Sequence, residues 1–365
     1  MSLYYYTTTE TMSFILKKGD IFATNISYLN DSQEYINGLN ELRELLCGDK
    51  AGAYAQSAQN HLTGAEAYKD ALKEAHDIYS ISFSQEKDLL SQWYMYAKES
   101  GVRLKMDIAD DYELEVKVFG KEEEDKEDKE PNLHLRSKCK KVHYYTRIGM
   151  EEDEYARESQ EILKGIKQYV KEKSMDDLDA YISTIWSGYA PYIKNYEFRQ
   201  EEEVRLIFHG LSAEGKKPLV QYRNAKGVLI PYLDIYLESG WPVTEIMVGP
   251  GRNQHNVYTS ICHFVEHTDG IKIAAIDEEK SMDEFVRGLE QYQILKQDCK
   301  EMLENVRSGC SSISNRRDVL YEVLERYMNE EEDKKKVSLV QEYLARNTYT
   351  SKNIIVRKSN VPYEF

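Results

Sequence analysis

The chain has 365 residues, of which 48 are Lys or Arg and 64 are Asp or Glu, so its formal charge is 48 − 64 = −16. Hydrophobic residues make up 41% of the chain and charged residues 31%, a composition that can bury a core and is not that of a disordered protein. No stretch approaches the roughly 18 apolar residues of a membrane-spanning helix, and an acidic chain is a poor binder of duplex nucleic acid. Neither a membrane nor nucleic acid is therefore expected as a partner.

The cysteines and the first residues bear on the compartment. The start, MSLYYYTTTE, has no basic stretch followed by an apolar one, so no secretory signal is visible. The five cysteines contain no CxxC pair and lie far apart, at Cys47, Cys139, Cys262, Cys299 and Cys310. This pattern predicts reduced thiols and a cytoplasmic location.

The N-terminal third alternates short strands and helices. Strands are predicted over residues 3–7, 21–24 and 78–84. Helices are predicted over residues 9–18, ending at Gly19, and after a capping box formed by Asp31 and Glu34. Two more helices are predicted over residues 65–75 and 88–99. Such alternation is typical of a fold that mixes α and β elements.

The middle of the chain has more β character. Alternating apolar residues predict strands over 102–108, 114–118, 204–208 and 244–248, and a further strand is predicted over 271–275. Strands over 219–223 and 228–236 are joined by Asn224-Ala225-Lys226-Gly227, which favours a hairpin. Helices are predicted over 155–170, 178–186 and 257–266. The charged run 121–130 is typical of a solvated loop.

The periodicity changes to helical from Ser281 onward. A capping box of Ser281 and Glu284 opens a predicted helix that continues to Val306, and further helices are predicted over 319–328 and 337–344, before a last strand over 353–357. We therefore predict an α+β body, with a mixed and mainly antiparallel sheet and flanking helices, over residues 1–276 and 350–365. A helical insertion would occupy 277–349. Its apolar stripes could pack on each other, on the body, or on a protein partner or second copy through residues 281–349.

Signals for familiar chemistry are weak. Cys262-His263 lies on a predicted apolar helix, where core packing explains a cysteine better than nucleophilic activation does. His263 and His267 share a helix face without a third ligand nearby, so no metal is expected. Gly249-Pro250-Gly251 could hold an anion but fits a plain turn, and neither GxxxxGKS nor GxGxxG occurs.

Polar residues on three predicted strands form a more informative pattern. Strand alternation places Glu201, Glu203 and Arg205 on one face, which is either a solvated edge or a catalytic cluster. The chain has 29 tyrosines and 9 phenylalanines. This excess indicates either a core of tyrosines whose hydroxyls reach solvent, or a tyrosine-lined cleft that holds a nucleotide or sugar. Besides the strand of Glu203 and Arg205, two other predicted strands carry the polar residues of this pattern. They are Tyr4-Tyr5-Tyr6-Thr7 and Ser82-Phe83-Ser84, and Ser91-Gln92-Trp93 follows the second of them.

The chain resembles the bacterial family catalogued as domain of unknown function 2971. The matching stretches run through the body from end to end, and the insertion over 281–349 lies outside them. They are Leu3-Tyr4-Tyr5-Tyr6-Thr7, Ile26-Ser27-Tyr28-Leu29-Asn30-Asp31, Ile81-Ser82-Phe83-Ser84, Leu90-Ser91-Gln92-Trp93, Phe198 to Arg205, Val248-Gly249-Pro250 and Ser359-Asn360-Val361-Pro362-Tyr363.

A second resemblance is to ADP-ribosyltransferases, which carry three motifs in order on three strands. Tyr5 stands at the place of their first-strand Arg or His, Ser82-Phe83-Ser84 at the Ser-x-Ser, and Glu201-Glu202-Glu203 at the Glu-x-Glu. The resemblance implies NAD as co-substrate, Glu203 as the catalytic carboxylate at the nicotinamide ribose, and Glu201 as the residue that orients an acceptor. Cofactor contacts would then come from Tyr5, Tyr6, Ser82, Ser84, Trp93, Arg205 and Arg223, with either arginine at the pyrophosphate.

Two functions of different class are open, one implied by the resemblance and one favoured by the amphipathic helices of the insertion. The first is an ADP-ribosyltransferase or NAD glycohydrolase-like effector in bacterial conflict or antiviral defence. The second is a non-catalytic module that senses a nucleotide-like small molecule or binds a protein through the helical insertion. A nuclease fits less well, because no His/Asp/Glu metal motif is present and the charge opposes nucleic acid.

Overall fold

The structure is a computed structural model that describes residues 2–29, 34–47, 75–97, 101–108, 111–116, 133–145, 160–161, 164, 168, 188–209, 219–225, 227–237, 239–275, 277–291, 304 and 313–362. The fold is α+β, with mainly antiparallel strands, flanking helices and a helical insertion before the last strand. The strands of the first half are β1 Ser2–Thr8, β2 Asp20–Asn25, β3 Tyr79–Ser84, β4 Gly101–Asp107, β5 Asp111–Val116, β6 Leu133–Lys138, β7 Lys140–Lys141 and β8 His143–Tyr145. Those of the second half are β9 Ile193–Asn195, β10 Glu203–Phe208, β11 Val220–Ala225, β12 Val228–Tyr236, β13 Val243–Val248, β14 Asn347–Tyr349 and β15 Ile355–Lys358. The longer helices are α1 Thr9–Lys18, α2 Glu34–Cys47, α3 Gln254–His267, α4 Glu278–Gln291, α5 Ile313–Glu330 and α6 Lys334–Arg346.

The chain divides into two compact units. Unit 1 comprises residues 1–19, 87–108 and 239–365, and unit 2 comprises residues 20–86 and 109–238.

Unit 1 contains a sheet in the order β14-β15-β13-β4-β1. Its neighbouring strands are antiparallel except β13 and β15, which run parallel. Strand β4 is buried along almost its whole length, although Arg103 and Lys105 alternate with its apolar residues. Arg103 pairs with Glu245 and Lys105 with Glu284, so these buried cations have partners on β13 and α4.

The helical insertion belongs to unit 1. Helices α4, α5 and α6 bury their apolar faces in one core, to which Phe285, Leu324 and Tyr343 contribute. Tyr349 of β14 and Ile355 of β15 lie in the same core, so these helices pack on each other and on strands of the same unit. None of the described helices combines the length and the apolar composition needed to cross a bilayer.

Unit 2 contains strands in the order β3-β2-β12-β5-β6. Strand β10 pairs with β3 and β7, and β11 pairs with β12 in the predicted hairpin. Gly227 in the hairpin turn has φ +81°, a conformation that favours glycine, and its N–H donates to Asn224 Oδ1. A separate pair, β8 and β9, runs parallel.

Most predicted elements are confirmed within a few residues, and some are wrong. Helix α4 begins at Glu278 and continues through Ser281, so the Ser281/Glu284 capping box does not open it. Residues 271–275 form a single bridge, Trp241 to Ile273, instead of a strand. In place of the helix 88–99 there is one turn, Leu90–Gln92, followed by a π-helical turn, Trp93–Ala97. Sequence patterns do not predict strands β6, β7, β8, β9 and β14.

Other predictions lie outside the described residues. These are the Asp31 cap, the helices over 65–75 and 178–186, most of the helix over 155–170, the charged run 121–130 and the far end of the helix that leads to Val306.

Candidate functional site

The serine strand and the acidic strand are neighbours in unit 2. Strands β3 and β10 are antiparallel, with Ser84 opposite Glu203 and Ser82 opposite Arg205. Directly opposed residues of an antiparallel pair point to the same face. Two of the three segments singled out in the sequence are therefore adjacent and in register.

Glu201 reaches this place by a different route from the one predicted. It is the last residue of a 3₁₀ helix, Tyr196–Glu201, whose first turn is capped by Asn195 Oδ1 accepting from the N–H of Glu197. Glu202 follows with φ +40°, in the left-handed region, and β10 starts only at Glu203. The prediction that strand alternation carries Glu201 is therefore wrong.

The face that Glu203 and Arg205 share is occupied by a two-pronged ion pair. Arg205 Nε donates to Glu203 Oε1 at 2.7 Å, and Arg205 Nη2 donates to Glu203 Oε2 at 2.9 Å. Arg205 Nη1 donates to the carbonyl oxygen of Pro191 at 2.6 Å, and Nη2 also contacts Glu34 Oε1. Charge-assisted pairs of this geometry are among the strongest polar contacts in proteins.

Lys194, from β9, lies among three carboxylates. Its Nζ is 2.8 Å from Glu201 Oε2, 2.8 Å from Glu203 Oε2 and 3.5 Å from Glu34 Oε2. We call these five residues (Glu34, Lys194, Glu201, Glu203 and Arg205) the ion cluster. With all members ionised it holds three negative and two positive charges, a net charge of −1.

The ion cluster is buried. Relative exposure is 7% for Glu201, 6% for Glu203 and 1% for Arg205. Lys194 and Glu34 each expose 5%. The solvated-edge interpretation of this face is therefore wrong, because charges are rarely buried unless they are paired.

Burial and pairing shift the pKa values of the cluster in opposite directions. Burial acts to raise the pKa of Glu203, but Arg205 and Lys194 outweigh it and hold the pKa well below its ordinary value. Burial acts to lower the pKa values of Lys194 and Arg205, but the adjacent carboxylates raise both. At Glu201 burial wins, and its pKa is raised despite Lys194.

Neighbouring side chains fix the backbone around the two acids. The N–H of Glu203 donates to the Tyr144 hydroxyl at 2.9 Å, and Ser84 Oγ donates to the carbonyl oxygen of Glu201 at 2.6 Å. Burial raises the pKa of Tyr144, so this phenol stays protonated. The positions of both carboxylates are thus set by contacts to β3 and β8.

The predicted aromatic contacts belong to unit 1. Tyr6 packs edge-on against Trp93, with ring centroids 4.8 Å apart, and its hydroxyl accepts from the N–H of Leu89. Trp93 Nε1 donates to Asp88 Oδ1 at 2.7 Å. Tyr5 lies on β1 opposite Leu104 of β4. The proposed roles of Tyr5, Tyr6 and Trp93 at a cofactor stay predictions.

The two candidate arginines for a pyrophosphate differ in whether their guanidinium groups are available to a ligand. The guanidinium of Arg205 is held by Glu203, Glu34 and Pro191 inside the cluster. Arg223, on β11, is exposed and donates from Nη2 to Thr24 Oγ1 at 3.0 Å. Arg223 is therefore the better of the two for an anion arriving from solvent.

The weaker candidates have structural explanations. Cys262 is half-buried on α3, and burial raises the pKa of its thiol, which is the opposite of activation. His263 and His267 stack on one another. Gln254 Nε2 donates to the carbonyl oxygens of Val248, Gly249 and Ser359, so the Gly249-Pro250-Gly251 segment is a turn tied to the residues after β15.

Two members of the ion cluster were missed by sequence reasoning. Lys194 stands in a short polar and apolar mixture with no motif around it, and Glu34 was assigned to a helix cap. The sequence does place Lys194 directly after Ala190-Pro191-Tyr192-Ile193, a run that the structure buries, and a cation that follows such a run into the core needs a buried partner.

No group of three or more His, Cys, Asp or Glu side chains in the described part of the chain is arranged to hold a metal ion. Searches against protein-family models, curated proteins and solved structures found no match.

Proposed function

We propose that the chain is an NAD-consuming enzyme of the ADP-ribosyltransferase or NAD glycohydrolase type, and that it acts as an effector in bacterial conflict or antiviral defence. The supporting observation is the ion cluster, in which carboxylates are buried, fixed and displaced from their ordinary pKa values beside the serine strand. Titratable groups perturbed by burial and by specific charge partners concentrate at functional sites.

The chemistry needs a fixed anion. The bond between nicotinamide and ribose C1 breaks, its electron pair leaves with neutral nicotinamide, and positive charge develops on the ribose. Water or an acceptor then adds to C1 and loses a proton. The ion cluster has a net charge of −1 and is held by its own ion pairs, so its carboxylates can stabilise that charge without rearranging.

The proposed roles of the serines and of Arg223 rest on strand register and on exposure. Ser82 and Ser84 are opposite Arg205 and Glu203, which is where hydroxyls could support the ribose. Arg223 is the proposed partner of the pyrophosphate because its guanidinium is exposed. NAD is the proposed co-substrate.

The direct test follows nicotinamide release. Purified chain is incubated with NAD in the presence and absence of bacterial extract, alongside a double variant, Glu201→Gln with Glu203→Gln, whose folding is checked by circular dichroism. We expect release by the wild type and loss in the double variant. Glu202→Gln is the matched control, since Glu202 lies between the two acids and is exposed. Absence of release from the wild type under all conditions would refute the enzyme.

One observation favours the alternative, a non-catalytic module that senses a nucleotide. Both carboxylate oxygens of Glu203 are engaged by Arg205 and Lys194, as in a purely structural ion network. This alternative predicts that NAD or ADP-ribose raises the melting temperature while no nicotinamide is released. A protein partner at the insertion would have to use its polar surface, because the apolar residues of α4–α6 described above are in the core.

A further inference from the structure

The carboxylate oxygens of the ion cluster differ in what they contact. Both oxygens of Glu203 and both oxygens of Glu34 lie against Arg205 or Lys194. Glu201 Oε2 lies against Lys194. Five of the six oxygens are therefore facing a cation.

The sixth oxygen, Glu201 Oε1, is different. It accepts no hydrogen bond from the residues that the structure describes, and it is not among the fully buried atoms that lack a partner. A carboxylate oxygen with solvent access and no donor among the described residues can accept a hydrogen bond from a ligand.

Glu203 is in the opposite situation. Both of its carboxylate oxygens already accept from Arg205 or Lys194, which are themselves buried, so a ligand hydroxyl would compete with these ion pairs. Separating one partner from a buried ion pair leaves an uncompensated charge and is strongly unfavourable. Glu203 is thus suited to holding Lys194 and Arg205 in place.

We infer that Glu201 is the carboxyl that contacts the substrate, through Oε1 and a hydroxyl of a ribose-type ring, and that Glu203 and Lys194 are positioning residues that hold it. This assignment rests on the proposed function and reverses the roles that the Glu-x-Glu resemblance implies. The raised pKa of Glu201 fits a group that exchanges a proton with a ligand.

The first test does not depend on activity. The folded wild-type chain is treated with a water-soluble carbodiimide and glycinamide, and the modified carboxyls are located by peptide mass spectrometry. We expect Glu201 to be modified, Glu34 and Glu203 to be protected, and ADP-ribose to slow modification at Glu201. Modification of Glu203 with protection of Glu201 would overturn the assignment.

The second test uses nicotinamide release. Glu201→Gln should lower kcat by about 100-fold or more while the fold is kept, and Glu202→Gln should not change it. Lys194→Met should move the acidic limb of the pH profile upward by about 1–3 units, because the cation that lowers the Glu201 pKa is removed. If Lys194 had only a structural role, its replacement would leave the acidic limb of the pH profile unchanged.

The two tests separate the two proposals. If the wild type releases no nicotinamide, the proposed enzyme is wrong, and the carbodiimide pattern with ADP-ribose still decides whether Glu201 is the ligand-contacting carboxyl. If the wild type is active and Glu201→Gln keeps full kcat, the enzyme stands and the assignment of Glu201 is wrong.

Discussion

Lys194 has a buried ammonium group with three carboxylates within 3.5 Å, and the ring of Phe198 lies 5.0 Å from its Nζ. The carboxylates raise its pKa against the effect of burial, so it stays charged across the physiological range. It occupies the position in which a cation is most needed, because Arg205 alone cannot neutralise three buried acids.

The two acids of the Glu-x-Glu motif should respond to pH with opposite sign. The pKa of Glu203 falls to about 2, so its carboxylate stabilises the fold above the unfolded-state pKa, and this is lost as pH falls through the folded-state pKa. The pKa of Glu201 is raised, so its contribution is favourable at low pH and is lost as pH rises through the folded-state value.

We therefore expect Glu203→Gln to lower the free energy of unfolding by about 3 kcal/mol at pH 7, and by progressively less below about pH 4.5. Glu201→Gln should leave it unchanged or raise it at pH 7. Urea unfolding at pH 7 and pH 3.5 measures both, with Glu202→Gln as the exposed reference. A constant difference for Glu203→Gln across this range would contradict the pairing.

At the scale of elements, α2 places Glu34 in the ion cluster by packing closely on the turn Ala190–Tyr192. A Cβ added at Gly38 would lie 2.5 Å from the carbonyl oxygen of Ala190. This oxygen belongs to the backbone and cannot move away as the end of a flexible side chain could. The glycine therefore serves close approach of helix and turn, at the cost of helix propensity.

Gly38→Ala is accordingly expected to lower the free energy of unfolding by about 1–3 kcal/mol, although alanine ordinarily favours a helix by about 1 kcal/mol over glycine. The sign of this change in the free energy of unfolding shows whether the close contact with Ala190 outweighs the higher helix propensity of alanine. Asn40→Ala, an exposed position on the same helix, is the control and should stay within about 0.5 kcal/mol of the wild type. Thermal or urea unfolding of the three chains decides the matter.

The elements show what the sequence could predict. Helix α1 was predicted with its bounds because Met12, Ile15 and Leu16 keep helical spacing and Gly19 ends it with φ +79°. Strand β14 was missed because three residues carry no periodicity. Burial of charge also escaped prediction. Strand alternation alone treats Arg103 or Arg205 as solvent-facing, and two of their acidic partners, Glu245 and Glu34, lie 142 and 171 residues away in the chain.

At the scale of the whole molecule, the net charge of −16 implies self-repulsion in the folded state. Salt screens exposed charges, with a Debye length of about 10 Å at 0.1 M, but screens buried pairs much less. Surface electrostatics and the ion cluster should therefore respond differently to ionic strength.

We expect the melting temperature of the wild type to rise between low salt and about 0.1 M NaCl. Lys194→Met should be less stable than the wild type by about 3–5 kcal/mol at both salt concentrations. Lys141→Met, which removes an exposed lysine of β7, should cost much less. A Lys194→Met deficit that disappears in salt would mean that the cluster is open to solvent.

The composition of unit 1 has a consequence for biosynthesis. Its sheet needs β1 next to β4, β4 next to β13, and β13 next to β15, so its last pairing partner, Ile355–Lys358, is translated after every other described strand of this sheet. All of unit 2 precedes residue 239. On the ribosome, unit 2 can complete its fold first, while β1 and β4, which pair with each other, wait for β13, which begins at Val243, and for β15, which begins at Ile355. During that time the unpaired edge of β4 is the surface that a holdase chaperone would protect.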